Sequence, residues 1–102
     1  MAHYADISAF SEEENALWDM LLQNQNQQFF TVKKLAFTYY IRGNELFISR
    51  REKSLTRSTI HQAYHKAKEL MKTEGKVSGP KKLGTFGASY LFSIFCQLNI
   101  IQ

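Results

Sequence analysis

The spacing of hydrophobic residues changes several times along the chain, and each change marks a predicted element. Over residues 11–24 the spacing is helical, with Leu17, Met20 and Leu21 on one stripe. Ser11 is followed by three glutamates, which is typical of a capping box. In that motif the serine hydroxyl and the third glutamate each accept a hydrogen bond from the other's backbone N–H. A run of six amide side chains then indicates the helix end and a solvated connector.

A spacing of two residues follows, which is typical of β-strands. Residues 29–32 form a short hydrophobic run, and residues 35–42 alternate between two faces. Gly43-Asn44 favours a two-residue hairpin turn, and the alternation resumes over residues 45–50. A turn at this position fixes the register of the two strands. The predicted opposite pairs are Arg42 and Glu45, Ile41 and Leu46, Tyr40 and Phe47, Tyr39 and Ile48, and Thr38 and Ser49.

The helical spacing returns over residues 57–73. Thr56 or Ser54 is the predicted N-cap, and Gly75 is the predicted helix stop. The hydrophobic stripe of this second helix consists of Ile60, Ala63, Tyr64, Ala67, Leu70 and Met71. Its other side carries a row of basic residues, called the basic stripe below, which consists of Arg57, His61, His65, Lys68 and Lys72.

The last third of the chain is predicted to be a loop and a hydrophobic tail. Residues 76–87 hold three of the five glycines and the only proline, which indicates a loop. Residues 88–101 are hydrophobic on every side, which favours a helix over residues 89–98 that is buried or docked on a partner. A strand is the alternative, because β-branched and aromatic residues are common there. The elements together predict an α+β fold with an N-terminal helix, a β-hairpin with a short extra strand, an amphipathic basic helix and an apolar C-terminal helix.

The composition favours one globular domain over residues 1–102. Hydrophobic residues make up 44% of the chain and charged residues 22%, close to the average of folded domains. The single cysteine, Cys96, excludes a disulfide scaffold and a cysteine-rich zinc module. No segment has the pattern of a signal peptide or the length of a membrane span, so we expect a cytoplasmic protein.

The charge is distributed unevenly along the chain. Residues 1–28 carry five carboxylates and no Lys or Arg, whereas residues 29–102 carry all 13 cations and four carboxylates. An acidic head and a basic middle predict a dipolar molecule whose basic part binds an anion. Around the start of the second helix, cations alternate with hydroxyls, and exposed N–H groups at a helix N-terminus attract phosphate. A solvated face that serves solubility is the alternative interpretation.

Residues 56–86 resemble the recognition helix and wing of GntR-type winged helix-turn-helix repressors. Thr56-Arg57-Ser58-Thr59-Ile60-His61-Gln62-Ala63 is similar to their Ser-Arg-x-Thr-Val-Arg-x-Ala helix opening. Glu74-Gly75 and Gly84-Thr85-Phe86 are similar to the Glu-Gly that ends their helix and the Gly-Thr-Phe of their wing. The resemblance implies that the helix opening contacts DNA and that Lys81 and Lys82 lie on the wing.

Several other motifs have a structural interpretation beside a functional one. His61 and His65 have the spacing of a shared metal site, but two surface histidines are favoured because a third ligand is missing. Residues 79–87 match no phosphate-binding fingerprint, so a structural turn is favoured over a mobile basic wing. Cys96 lies among hydrophobic residues and is expected to be an inert thiol. Aromatic residues that can stack bases, most of them expected in the core, are Tyr40, Phe47, Tyr64, Phe86, Tyr90 and Phe92.

These patterns predict a small non-enzymatic nucleic-acid-binding protein, with DNA favoured over RNA and no cofactor or metal. A DNA-binding regulator is one such protein. The predicted contacts are Arg50, Arg51, Lys53, Arg57, Ser58, Thr59, His61, Lys68, Lys72, Lys81 and Lys82.

The alternative is a protein-binding inhibitor or adaptor of phage or mobile-element type, for example an anti-restriction or anti-CRISPR-like protein, that engages a nucleic-acid-processing protein. Its acidic contacts are Asp6, Glu12, Glu13, Glu14 and Asp19, and its aromatic contacts are Tyr40 and Phe47, which share the second face of the hairpin. The apolar C-terminal segment is also a candidate homodimer interface.

Overall fold

The computed structural model describes residues 10–101, so the predicted contact Asp6 lies outside the described residues. Within them the α+β prediction is confirmed, with a small antiparallel sheet system and three α-helices. The helices are α1 (Glu12–Gln23), α2 (Arg57–Glu74) and α3 (Ala88–Gln97), and a 3-10 helix at Pro80–Leu83 precedes α3. The strands are β1 (Phe29–Phe30), β2 (Ala36–Phe37), β3 (Tyr39–Arg42), β4 (Glu45–Ile48) and β5 (Leu55–Thr56).

The strands form two sheets instead of one. β1 pairs with β2, and β3, β4 and β5 form a second antiparallel sheet in that order. The predicted hairpin register is confirmed at every β3–β4 pair, and Gly43 adopts a φ of 61°, the positive φ that the first central position of a type I′ or II′ turn requires. The alternating segment of residues 35–42 is divided at Thr38, whose backbone N–H donates to the Ser49 hydroxyl at 3.0 Å.

Helix α1 has the predicted capping box. The Ser11 hydroxyl accepts from the Glu14 backbone N–H, and the Glu14 carboxylate accepts from the Ser11 N–H, each at 3.0 Å. The buried side chains of α1 are Leu17, Trp18 and Leu21. The spacing predicts Met20 on the buried stripe, but Met20 is 39% exposed. Trp18 is buried instead and packs against His61 of α2, and the helical period alone does not determine which of these side chains faces α2.

Two amides of the connector after α1 cover a strand edge. The Asn26 backbone N–H donates to the Tyr39 carbonyl at 2.9 Å, and the Gln25 side-chain oxygen accepts from the Ile41 N–H at 2.6 Å. An open strand edge is a template for pairing with another chain. The amide run is therefore more than a solvated connector, since it satisfies the outer edge of β3.

Helices α2 and α3 provide much of the core. The Thr56 hydroxyl caps α2 by accepting from the Thr59 N–H at 3.2 Å, and Gly75 ends it in the left-handed conformation. The predicted C-terminal helix is confirmed as α3, and the strand alternative is wrong. Four of its large side chains lie in the core with those of α1, α2 and the sheets, namely Tyr90, Leu91, Ile94 and Phe95. Within residues 10–101, none of the helices has the length and hydropathy needed to cross a membrane.

Candidate nucleic-acid interface

The basic stripe of α2 packs against the acidic first turns of α1. Glu13 accepts a hydrogen bond from the Tyr64 hydroxyl at 2.8 Å and forms an ion pair with Lys68. A Glu14 oxygen lies 2.6 Å from the ring nitrogen Nε2 of His65. These contacts lower the pKa of both glutamates, through Lys68 and Tyr64 for Glu13 and through His65 and the Ser11 backbone for Glu14. Two surfaces that the sequence predicts as separate binding faces are therefore largely partners of each other.

The N-terminal part of the basic stripe is enclosed by aromatic rings. The guanidinium carbon of Arg57 lies 4.0 Å from the ring centroid of Phe10 and 4.8 Å from that of Trp18. His61 meets the same two rings edge-on and is only 6% exposed. The prediction that His61 is a surface residue is therefore wrong, because Phe10 and Trp18 lie against its ring. Among residues 10–101, no group of three potential ligands that could hold a metal ion is found around either histidine.

We expect the free energy of unfolding to fall as the pH is lowered from about 7 to 5. Burial lowers the pKa of His61 below its ordinary 6.5. The carboxylate of Glu14 opposes this shift, and the positive charges of Arg57 and His65 add to it. Below pH 6.5 the unfolded chain takes up this proton more readily than the folded chain, so acid favours unfolding. The Glu14 pKa is also lowered, and its contribution to stability is lost only as the pH falls below 4.5.

Urea unfolding of the wild type and of His61→Gln at several pH values between 5 and 8 measures this effect. Glutamine keeps an acceptor for the Arg57 side chain, which lies 3.3 Å from the His61 ring nitrogen. The variant is expected to lose the His61 component, so its stability depends less on pH over this interval. Parallel profiles for the two proteins would show that His61 does not contribute.

A second group of predicted cations lies in the loop between β4 and β5 and remains exposed. The Arg51 guanidinium carbon is 5.0 Å and the Lys53 amine 4.8 Å from the ring centroid of Phe86, which is itself 38% exposed. We call these three residues the Phe86 cluster, and Arg50 is its neighbour in the chain. No carboxylate of residues 10–101 forms an ion pair with any of these cations.

The close approach of two chain segments positions the Phe86 cluster. Gly87 follows Phe86 and has a φ of 72°. A Cβ atom at Gly87 would lie 2.5 Å from a methyl carbon of Leu55, the buried residue that begins β5 just after the cationic loop. The missing side chain at Gly87 therefore allows this segment to pack against β5, where Phe86 meets Arg51 and Lys53.

A groove of about 440 Å³ lies between the β1–β2 turn and the 3-10 helix. It holds three lysines and no carboxylate, and its lining residues are Val32, Lys33, Ser78, Gly79, Pro80, Lys81, Lys82 and Ser89. We call it the lysine groove. The predicted contacts Lys81 and Lys82 lie on the 3-10 helix, within the segment that the sequence predicts as a loop.

Two residues of these surfaces were not predicted as contacts. Lys33 comes from the β1–β2 turn, where two lysines separate two hydrophobic runs, and that pattern is a usable signal for an exposed cationic tip. Phe86 appears in the sequence only as one of several aromatic residues, and its role depends on the contact at Gly87.

The remaining predicted cations that are exposed on α2 are Lys68, which pairs with Glu13, and Lys72. Ser58 is exposed, and the Thr59 hydroxyl accepts from that of Thr56 at 3.0 Å.

The aromatic pair on the second face of the hairpin is present as expected. The Tyr40 and Phe47 rings are stacked, with centroids 5.0 Å apart and planes 10° apart. Tyr40 is 42% exposed, and the Arg42 guanidinium carbon lies 5.8 Å from its ring centroid. Of the predicted acidic contacts, Glu12 is exposed on α1, whereas Glu13 and Glu14 engage α2.

Comparison with known protein families, curated proteins and solved structures finds no match to this chain. The geometry of residues 10–101 therefore carries the functional argument. It offers two exposed cationic surfaces and one half-exposed aromatic pair. The cations of the Phe86 cluster form no ion pair within residues 10–101, although Glu52 lies between them in the chain, and no carboxylate lines the lysine groove.

Proposed function

We propose that this chain is a small nucleic-acid-binding protein that uses its loop cations as the contact surface. The observation that carries the proposal is the Phe86 cluster, in which Arg51 and Lys53 lie beside an exposed aromatic ring and have no carboxylate partner among residues 10–101. Cations bind phosphates with release of condensed counterions. Because Arg51 and Lys53 form no ion pair within residues 10–101, they break none when they bind a phosphate.

The α2 stripe is a weaker candidate for the same task. Lys68 has an intramolecular carboxylate partner, and Arg57 is held between the rings of Phe10 and Trp18. A phosphate that bound there would have to displace these contacts. The resemblance to GntR-type repressors supports DNA as a partner, but the helix opening it points to contains the covered residues Arg57 and His61.

Fluorescence anisotropy with labelled DNA over a range of salt concentrations tests the proposal. The wild type is expected to bind at low salt with a log–log salt slope that is clearly negative. Changing Arg50, Arg51 and Lys53 together to glutamate is expected to weaken binding at least tenfold and to reduce the slope by up to about 2 for a single strand, since each phosphate contact contributes about 0.7.

A charge-matched variant provides the control. Changing Lys66, Lys72 and Lys76 together to glutamate alters the net charge by the same amount at three other exposed positions. This variant is expected to keep most of the affinity, because only long-range attraction changes. An equal loss in both triple variants would contradict the assignment of the contact surface, and no binding by the wild type at low salt would contradict the function.

A second candidate function is binding to a nucleic-acid-processing protein, as an inhibitor of phage or mobile-element type would do. The stacked Tyr40–Phe47 pair with its neighbouring arginine favours it, because exposed aromatic residues and arginine are enriched at protein interfaces. The acidic face of α1 contributes less to this candidate, since Glu13 and Glu14 are engaged by α2. Failure of the wild type to bind nucleic acid at low salt would favour this second function.

A further inference from the structure

We infer that the contact surface selects single-stranded over double-stranded nucleic acid, with a base stacked at the Phe86 cluster and neighbouring phosphates contacted by the lysines of the lysine groove. This inference rests on the proposed function and specifies its ligand. Three observations support it: an exposed aromatic ring lies beside cations, the lysine groove is close to that ring in the chain, and the start of α2 is covered by Phe10 and Trp18.

The Phe86 cluster combines the two features that single-strand binding requires. Its ring is 38% exposed, and the Arg51 guanidinium carbon and the Lys53 amine lie over the ring, 5.0 Å and 4.8 Å from its centroid. An unpaired base can stack on the guanidinium plane, or replace a cation over the ring, and the displaced cation then contacts the backbone. The bases of a duplex are already stacked on each other and present only their edges. A duplex therefore gains the phosphate contacts of this cluster but not the stacking.

The lysine groove lies close enough to serve the same strand. Ser89 lines the groove and is three residues from Phe86, so their Cα atoms are at most about 11 Å apart. The surface inside the groove is mostly apolar, and Lys33, Lys81 and Lys82 line it with no carboxylate beside them. The three exposed ammonium groups attract phosphates of a bound strand.

Residues 10–101 give a duplex no comparable element. Duplex readers of the helix-turn-helix type place the N-terminal residues of a helix in the major groove. The longest helix among the described residues is α2, and the Arg57 and His61 side chains near its start are covered by Phe10 and Trp18. The cations of the Phe86 cluster and of the lysine groove lie instead on loops and on the 3-10 helix.

Anisotropy titrations with fluorescein-labelled oligo(dT) and with a labelled duplex of the same length test the inference. Because base stacking is tolerant of sequence, oligo(dT) is a suitable probe. The wild type is expected to bind oligo(dT) at least tenfold more tightly than the duplex at one salt concentration. Phe86→Leu, which keeps a hydrophobic side chain but removes the ring, is expected to weaken oligo(dT) binding about tenfold and to leave duplex binding nearly unchanged.

Phe30→Leu is the matched control, since Phe30 is 45% exposed and no cation lies over its ring among residues 10–101. It is expected to change neither affinity, and circular dichroism checks that both variants are folded. Equal or tighter binding of the duplex, or equal effects of the two leucine variants, would overturn the inference while leaving the proposed function standing. Absence of binding to both probes at low salt would overturn both.

Discussion

Replacement of Trp18 with alanine is expected to lower the free energy of unfolding by about 3–5 kcal/mol. The Trp18 side chain is only 5% exposed and belongs to the core cluster. It also covers His61 and lies against the guanidinium of Arg57. Its removal therefore leaves a cavity between α1 and α2 and exposes the His61 ring and the Arg57 guanidinium, which the Trp18 ring covers in the wild type.

Denaturant unfolding followed by far-UV circular dichroism measures the loss. Circular dichroism is needed because Trp18 is the only tryptophan, so the variant has no tryptophan fluorescence. Lys68→Ala is the informative control, because it removes the ion pair with Glu13 and leaves the hydrophobic contact intact. The control is expected to lose much less stability, since exposed ion pairs contribute little. Similar losses would show that charge, and not burial, attaches α1 to α2.

The source of this attachment matters for function. Burial of Leu17, Trp18 and Leu21 is not screened by salt, whereas exposed ion pairs are. Helix α1 is therefore expected to stay docked over the salt range of a nucleic-acid titration. The salt dependence of binding then reports on the cations of the Phe86 cluster and of the lysine groove, and the covered part of α2 does not become a second contact surface at high salt.

Local features of the fold could be predicted because each was specified by residues close together in the chain. The hairpin register follows from Gly43-Asn44 and the alternation on both sides of it, and the two signals agree. The α1 cap follows from Ser11 and Glu14, three residues apart. The helix α3 was harder to predict, because its residues are hydrophobic on all sides and a strand remained the alternative until the structure showed a helix.

The candidate site was predictable only in part, because it depends on which surfaces of distant elements pack against each other in the fold. The basic stripe and the acidic helix were both recognised, but a helical period does not reveal that the carboxylate of Glu13 lies beside Tyr64, 51 residues away. The same is true of Phe86, which meets Arg51 across two chain segments. The exposed loop cations were predicted correctly as exposed because they lie outside any hydrophobic pattern.

Replacement of Gly87 with alanine is expected to lower the free energy of unfolding by about 2–5 kcal/mol. Two costs add in this variant. A residue with a Cβ loses about 1–2 kcal/mol in the left-handed conformation, and the φ of Gly87 is 72°. The new Cβ would also lie 2.5 Å from a methyl carbon of Leu55, and overpacking of this kind costs about 1–3 kcal/mol.

Gly75→Ala separates these two costs. Gly75 has a φ of 82°, and no atom lies within 4 Å of the position its Cβ would take, so this variant is expected to show only the backbone cost. Thermal unfolding measures both variants, and each kcal/mol corresponds to a decrease in Tm of roughly 4–8 °C for a domain of this size. Because Gly87 sets the approach of Phe86 to Arg51 and Lys53, Gly87→Ala is also expected to weaken oligo(dT) binding, whereas Gly75→Ala is not. Equal losses of stability in the two variants would show that Leu55 yields to the new methyl group, and the placement of the Phe86 cluster would then not depend on the contact between Gly87 and Leu55.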